Sequence, residues 1–137
     1  MSFRIRPVQF YTTTIPGSPD NAYLLLTGLA GAGVNLLAFT AIPVGLGATQ
    51  LVFSPEDGAR LVNAASRLGL TLPSPDEAFL VQGDDELGAL ARVHEQLAAA
   101  GVHPYASTGI SDGRGGFGYV LYTRRGESAA AKQALGL

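Results

Sequence analysis

Side chains that could carry out chemistry are few in this chain of 137 residues. It contains no cysteine, which excludes disulfides, thiolate metal sites and cysteine nucleophiles. Its two histidines, His94 and His103, lie nine residues apart, and this separation fits no standard metal-ligand spacing. No serine, histidine and acid can be grouped by their spacing into a hydrolytic triad. We therefore predict no metal site, no cofactor and no enzymatic activity.

A glycine-rich segment followed by aromatic residues is the other feature that could bind a ligand. Residues 113–116 lie between two predicted strands, not before a helix, which indicates a hairpin turn and not a phosphate-binding loop. Residues 115–122 match seven of the eight positions of the first ribonucleoprotein motif of RRM domains, whose aromatic side chains stack on RNA bases. However, residues 76–137 hold eight acidic and five basic side chains, so a polyanion gains little there. RNA binding is the weaker alternative, and no nucleic-acid partner is expected.

The composition predicts a soluble, folded protein. Apolar residues make up 47% of the chain and charged residues 15%, which is too hydrophobic for a disordered segment. The net charge of −2 gives no general attraction to nucleic acid or to an anionic membrane. The uncharged stretch 21–55 is interrupted by glycine and proline, and the N-terminus lacks the apolar core of a signal peptide. We expect a cytoplasmic protein without a membrane partner.

The chain repeats itself at a shift of 68 residues. Residues 29–47 and 97–115 align without a gap and share ten identities over nineteen positions, whereas a composition this rich in alanine, glycine and leucine would give about two. We predict two copies of one unit, residues 1–74 and residues 75–137.

Each copy shows the same order of predicted elements. A short strand, Gln9–Ile15 or Ala78–Gln82, is followed by apolar residues at helical spacing and then by Gly33 or Gly101, which should end the helix. A second strand, residues 34–42 or 102–110, follows in each copy. The residues that both copies retain there have one parity and should face the helices; they are Val34/Val102, Ala38/Ala106, Thr40/Thr108 and Ile42/Ile110. Leu37 and Phe39, of opposite parity, should then pack against another sheet, either between the copies or across a homodimer.

A third strand and a second helix complete a split βαβ plan in each copy, so we predict an α+β fold made of two tandem ferredoxin-like βαββαβ repeats. Leu70–Leu72 is a possible fourth strand for the first copy. The second copy ends at Leu137 before its fourth, C-terminal strand. We predict that Phe3–Arg6, which alternates apolar and basic residues, completes that sheet beside Ala78–Gln82.

Two motifs carry a family resemblance. The run from Leu87 to Val93, with the segment Leu97–Val102 behind it, resembles the ACT domain pattern Pro-Gly-x-Leu-Ala-x-Val and the glycine step into the second strand. In the first copy, Gly33-Val34-Asn35-Leu36 is similar to the same step. The sequence departs from the family pattern at Leu87, at Asp20 in place of the motif glycine, and at His103 in place of the asparagine.

The resemblance implies a fold, a function and a set of site residues. ACT domains commonly bind amino acids between paired domains, through the first strand-to-helix loop and the residue that opens the second strand. Carried over residue by residue, this implies ligand contacts at Asp20, Asn21 and Asn35 in the first copy and at Asp85, Gly88 and His103 in the second. A helix N-terminus suits a ligand carboxylate, while Asp20 and Asp85 could receive an amino group or simply cap their helices. Asn35 could equally be a polar residue at a strand edge.

The resemblance also implies how the protein would act. We expect a regulatory module that binds an amino acid or a similar small molecule, forms a homodimer and regulates another chain. A fold that has kept dimerisation and lost its ligand is the alternative.

Overall fold

The computed structural model of the chain describes residues 3–137 and shows an α+β fold. The strands are β1 (Phe3–Pro16), β2 (Leu36–Pro43), β3 (Ala48–Pro55), β4 (Asp76–Asp84), β5 (Ala106–Ser111) and β6 (Gly116–Tyr122). The helices are α1 (Ala22–Gly31), α2 (Gly58–Arg67), α3 (Ala89–Ala99) and α4 (Ser128–Leu135), and a 3-10 turn, Pro19–Asn21, leads into α1.

These elements form two compact units. The first unit is Gln9–Asp76, in which the strand order is β2-β3-β1 and both pairings are antiparallel. The second unit combines residues 3–8 with Glu77–Leu137, in the strand order β5-β6-β4-β1. In each unit two helices cover one face of the sheet. Apolar side chains from these helices and from the strands form one buried cluster between them.

The N-terminal part of β1 belongs to the second unit, as the strand count of the sequence predicted. Phe3 and Ile5 pack against the cluster that contains Phe79 and Val81 of β4, and β1 neighbours β4 in the sheet. Arg4 and Arg6 are exposed. The prediction that Phe3–Arg6 completes this sheet is confirmed, and the completion occurs within the chain.

The fourth strand predicted for the first copy is wrong. Residues 70–75 are assigned to no strand. Pro73 and Pro75 lack an N–H group and cannot donate to a ladder, which explains why pairing does not begin here. Leu72 is instead anchored by its side chain, which packs against the core of the first unit.

The turns repeat at the 68-residue shift. Gly33 and Gly101 have φ of +77° and +74°, and the residues after them, Val34 and Val102, donate to Leu29 O (3.0 Å) and Leu97 O (2.9 Å). This is the bonding of a Schellman motif, in which a left-handed glycine ends a helix. The two predicted helix ends are therefore confirmed.

Strand β2 presents to the helices the face opposite to the one we predicted. A β-bulge between Leu36 and Ala38 shifts its register against β3. One extra residue reverses the alternation of side chains, so Phe39 and Ala41 pack against the core while Ile42 is 48% exposed. The expectation that the retained positions from Ala38 onward face the helices is wrong in the first copy for this reason, and it is also wrong for Ile110 of the second copy, which is 77% exposed.

Because this face of β2 meets the helices, Phe39 packs within its own unit. Its ring lies 5.4 Å from the ring of Phe53, centroid to centroid, inside the core of the first unit. The expectation that Phe39 packs against another sheet is therefore wrong. Leu37 lies at the bulge and is half-buried, and its packing against a second sheet stays a prediction.

Candidate ligand-binding site

The largest cavity described in the chain lies within the second unit. Its volume is about 610 Å³. One wall is the loop that leads into α3 and the first turn of that helix, and the other is formed by the ends of β5 and β6. Leu87 in the loop and Ile110 in β5 are largely exposed, at 107% and 77%, so the cavity opens to solvent between them. The cavity is lined by residues 85–91, 109–111 and 117–119.

Small side chains on β5 leave this space open. Gly109 and Ser111 pair with Tyr119 and Phe117 of β6, and directly paired residues of an antiparallel sheet point to the same face. Because Tyr119 and Phe117 belong to the helix-side cluster, the positions of β5 that face the helices are a glycine and a serine. A strand that faces a helix with side chains this small leaves room between the two.

Tyr119 forms the floor of the cavity and is held at both ends. A Cβ atom added at Gly109 would lie 2.7 Å from Tyr119 Cδ1, so the ring rests directly on the glycine backbone. Its hydroxyl lies 2.6 Å from His94 Nε2. The ring is 8% exposed. Packing against Gly109 and the hydrogen bond to His94 together hold the Tyr119 ring in place as the floor of the cavity.

The first turn of α3 forms part of the cavity wall and carries backbone N–H donors. Gly88 is the N-cap with φ of +83°, and it offers no side chain to cap the helix. The amide N–H groups of Leu90 and Ala91, both in the cavity wall, lie in the first turn, where no intrahelical acceptor exists. The partial positive charge of a helix N-terminus favours a carboxylate there.

Acidic side chains supply the opposite charge. Asp85 and Glu86 line the cavity, and no lysine or arginine does. The backbone of Asp85 is fixed by a hydrogen bond from its N–H to Gly115 O, 2.8 Å long. A carboxylate accepts a charge-assisted hydrogen bond from an ammonium group. The lining therefore offers donors for an anion, acceptors for a cation and apolar surface from Leu90, Phe117 and Tyr119.

The six residues implied by the family resemblance do not share one place. Asp85 and Gly88 lie together in the large cavity. Asn21 lines a separate cavity of about 300 Å³ with Leu24 and Leu25. Asp20 lies in the 3-10 turn, where its carboxylate accepts a hydrogen bond from Ser18 Oγ, and it lines none of the cavities described.

Asn35 and His103, the residues expected to open the second strand, lie in loops just before it. Asn35 donates from Nδ2 to Glu56 Oε2 (2.5 Å) and lines a polar cavity of about 340 Å³ with Arg60. His103 is exposed, its carbonyl accepts from Arg124 Nη1 (3.4 Å), and it lines none of the cavities described. Neither residue is brought to the cavity of the second unit.

Sequence reasoning missed the strand residues of the site. Gly109, Ser111 and Tyr119 were not among the candidate residues, although the 68-residue alignment contains the signal. It places Gly109 opposite Ala41 and Ser107 opposite Phe39, so the second copy loses side-chain volume along one strand. That loss indicates a cavity only when the face of the strand is known.

The aromatic residues that suggested RNA binding lie on the covered face of the sheet. Phe117 packs against the cluster that includes Val93 and Leu97 of α3, and Tyr119 is part of that cluster. RNA bases stack on aromatic rings that are exposed on an open sheet. The placement of both rings under the helices argues against that use of the motif.

Outside the cavity, the pKa of one carboxyl group, that of Asp112, is shifted by neighbouring backbone N–H groups. The Asp112 carboxylate accepts hydrogen bonds from the N–H groups of Arg114 (2.7 Å) and Gly116 (3.0 Å), and these bonds lower the pKa of Asp112 below its ordinary value of 3.8. Within residues 3–137, no three histidine, aspartate or glutamate side chains are grouped closely enough to hold a metal ion. In the same residues, no helix is both long and apolar enough to cross a membrane.

Solved structures share this fold at low sequence identity. The protein BT0572 from Bacteroides thetaiotaomicron superposes with a TM-score of 0.80 and 15% identity, over 96% of this chain and 88% of that one. The ligand-free regulatory subunit of aspartate kinase from Thermus thermophilus gives a TM-score of 0.63 and 15% identity, over 96% and 95% of the two chains. A structure of aspartokinase α and β subunits gives 0.62 and 17%, over 100% and 99%.

These likenesses concern the fold. The sequence matches no protein-family model and no curated protein. The aspartokinase regulatory subunits are ACT-domain proteins, so the ACT resemblance that the sequence motifs indicated is confirmed for the fold.

Proposed function

We propose that this chain is a regulatory module of two ACT-type repeats that binds an amino acid and acts on another chain, without enzymatic activity of its own. The division of the described chain into two compact units supports the two repeats, and the fold likeness to regulatory subunits of aspartate kinase supports a regulatory role. Association into a homodimer, which the sequence resemblance implied, is part of the same proposal.

The observation that carries the proposal is the cavity of about 610 Å³ in the second unit. Small-molecule sites are concave, mostly apolar and furnished with a few polar groups. A zwitterion fits this lining, because its carboxylate can meet the amides of Leu90 and Ala91 and its ammonium group can meet Asp85 or Glu86. Its side chain would then lie along Phe117 and Tyr119.

A thermal-shift screen with the twenty amino acids tests the proposal. A ligand that binds only the native state at about one hundred times its Kd stabilises the protein by about 2.7 kcal/mol, which raises Tm by several degrees. At least one amino acid should produce such a shift. If none does at millimolar concentration, the amino-acid proposal is wrong.

Two variants of one helix show whether the shift arises in the cavity. Ala91 and Ala98 are both exposed on α3, but only Ala91 lines the cavity. Ala91→Trp should abolish the shift because the indole occupies the ligand space, while Ala98→Trp should preserve it. Equal shifts in the two variants would place the binding site elsewhere.

A ligand-free interaction protein is the second candidate, favoured by one observation. Tyr23 and Leu24 of α1 are 64% and 66% exposed, so an apolar helix surface is open to another protein. This candidate predicts no thermal shift with any amino acid and loss of self-association in Leu24→Glu, measured by sedimentation.

A further inference from the structure

We infer that the chain binds one amino acid and not two, because the ligand cavity is open in the second unit and filled in the first. The inference rests on the function proposed above and sets its stoichiometry. The family resemblance implied a site in each copy, so the inference departs from that expectation.

Strand β2 of the first unit carries larger side chains toward its helices than β5 of the second unit does. The 68-residue alignment places Ala41 opposite Gly109, and Phe39 two residues before it on the same face. Phe39 and Ala41 both pack against the helix-side core, and the Phe39 ring contacts the Phe53 ring at a centroid distance of 5.4 Å. A phenylalanine therefore occupies the layer between sheet and helix at the position of Ser107, which is two residues before the cavity-lining Gly109 of the second unit.

The loop wall is also closed in the first unit. Buried Thr49 donates from Oγ1 to Gly17 O (2.8 Å), which ties the loop to β3. The Asn21 side chain lies against Gly17, since a Cβ atom there would fall 1.9 Å from Asn21 Nδ2. The 3-10 turn Pro19–Asn21 packs on β2. The residue aligned with Thr49 is Phe117, which has no hydroxyl to make this tie.

The helix end that would receive a ligand carboxylate differs as well. Asp20 in the first unit aligns with Gly88 in the second. The turn that contains Asp20 continues into α1, and the N–H of Ala22 donates to Pro19 O. The Asp20 side chain, which accepts a hydrogen bond from Ser18 Oγ, occupies the space before α1. Gly88 brings no side chain to the corresponding place before α3.

Isothermal titration calorimetry on the full chain, with the amino acid that gives the largest thermal shift as the probe, measures the stoichiometry. We expect one ligand per chain. A value near two, or one ligand per two chains, would overturn the inference while leaving amino-acid binding in place. If no amino acid gives a thermal shift or binding heat, the proposed function fails first and the inference fails with it.

A matched pair of substitutions locates the site. Ser111 lines the cavity, and Pro43 is its counterpart at the 68-residue shift; both residues are exposed at a strand end. Ser111→Phe should weaken binding by about tenfold or more, equivalent to about 1.4 kcal/mol, while Pro43→Phe should change Kd by less than about twofold. Circular dichroism and Tm confirm that both variants fold. Weaker binding in Pro43→Phe, or unchanged binding in Ser111→Phe, would overturn the assignment to the second unit.

Discussion

Replacing Gly109 by alanine should destabilise the second unit through one contact. The added Cβ would lie 2.7 Å from Tyr119 Cδ1, closer than carbon atoms approach in folded proteins, so the Tyr119 ring must move. The ring cannot move freely, because it is 8% exposed and its hydroxyl is bonded to His94.

The expected magnitude follows from opposing effects. Overpacking a well-packed site costs about 1–3 kcal/mol, and loss of the bond between Tyr119 and His94 adds about 0.5–1.5 kcal/mol. Replacing a strand glycine by alanine returns about 0.5–1 kcal/mol, since Gly109 is not at positive φ. The net prediction is a loss of about 1–3 kcal/mol in the free energy of unfolding.

Gly118 provides the matched control for urea denaturation. It lies beside Tyr119 in β6, it is not at positive φ, and a Cβ added there meets no atom within 4 Å. Gly118→Ala should therefore be neutral or stabilising by up to about 1 kcal/mol. In a Tyr119→Leu background, which reproduces the Ala41–Leu51 pair of the first unit, Gly109→Ala should cost less than about 0.5 kcal/mol. Equal stabilities of Gly109→Ala and Gly118→Ala would refute this reasoning.

Three further outcomes are expected. The Asp112 carboxyl should titrate in NMR spectra with a pKa below its ordinary value of 3.8. Because the folded pKa is lowered, the ionised carboxylate stabilises the folded protein above the pKa of the unfolded chain, and this contribution is lost as pH falls through the folded pKa. Asp112→Asn should flatten this pH dependence of stability. Ile5→Ala should cost about 1–2 kcal/mol and speed amide exchange in Ala78–Gln82, whereas exposed Arg4→Ala should leave exchange unchanged. Phe39→Ala should cost about 2–3 kcal/mol in denaturation; a cost below about 0.5 kcal/mol would show that the ring is not a core residue.

The sequence was informative wherever a local rule sets the structure. Gly33 and Gly101 end their helices as predicted, because a left-handed residue after a helix is a requirement that glycine meets without strain. Phe3–Arg6 could be assigned to the second copy because an unpaired strand edge requires a partner and this segment had no other place in the repeat.

The sequence was less informative about the site. The family resemblance indicated both strand-to-helix loops, and only Asp85 and Gly88 of the six implied residues lie in the large cavity. Leu70–Leu72 has the apolar character of a strand, yet two prolines that follow it prevent pairing. Neither a pattern of residue types nor a motif records how much space remains after packing.

By itself the sequence determined much of the local structure of this protein: the order of its helices and strands apart from Leu70–Leu72, the glycine turns that end two helices, and the sheet that Phe3–Arg6 completes. Only the tertiary structure decided which face of the second strand meets the helices, because one residue of bulge in β2 reverses every side chain after it. That reversal buries Phe39 in the first unit, while in the second unit the register of β5 against β6 pairs Gly109 with Tyr119. The open cavity of the second unit thus depends on where the small side chains of β5 lie, and this location is set only when the strands and helices are packed.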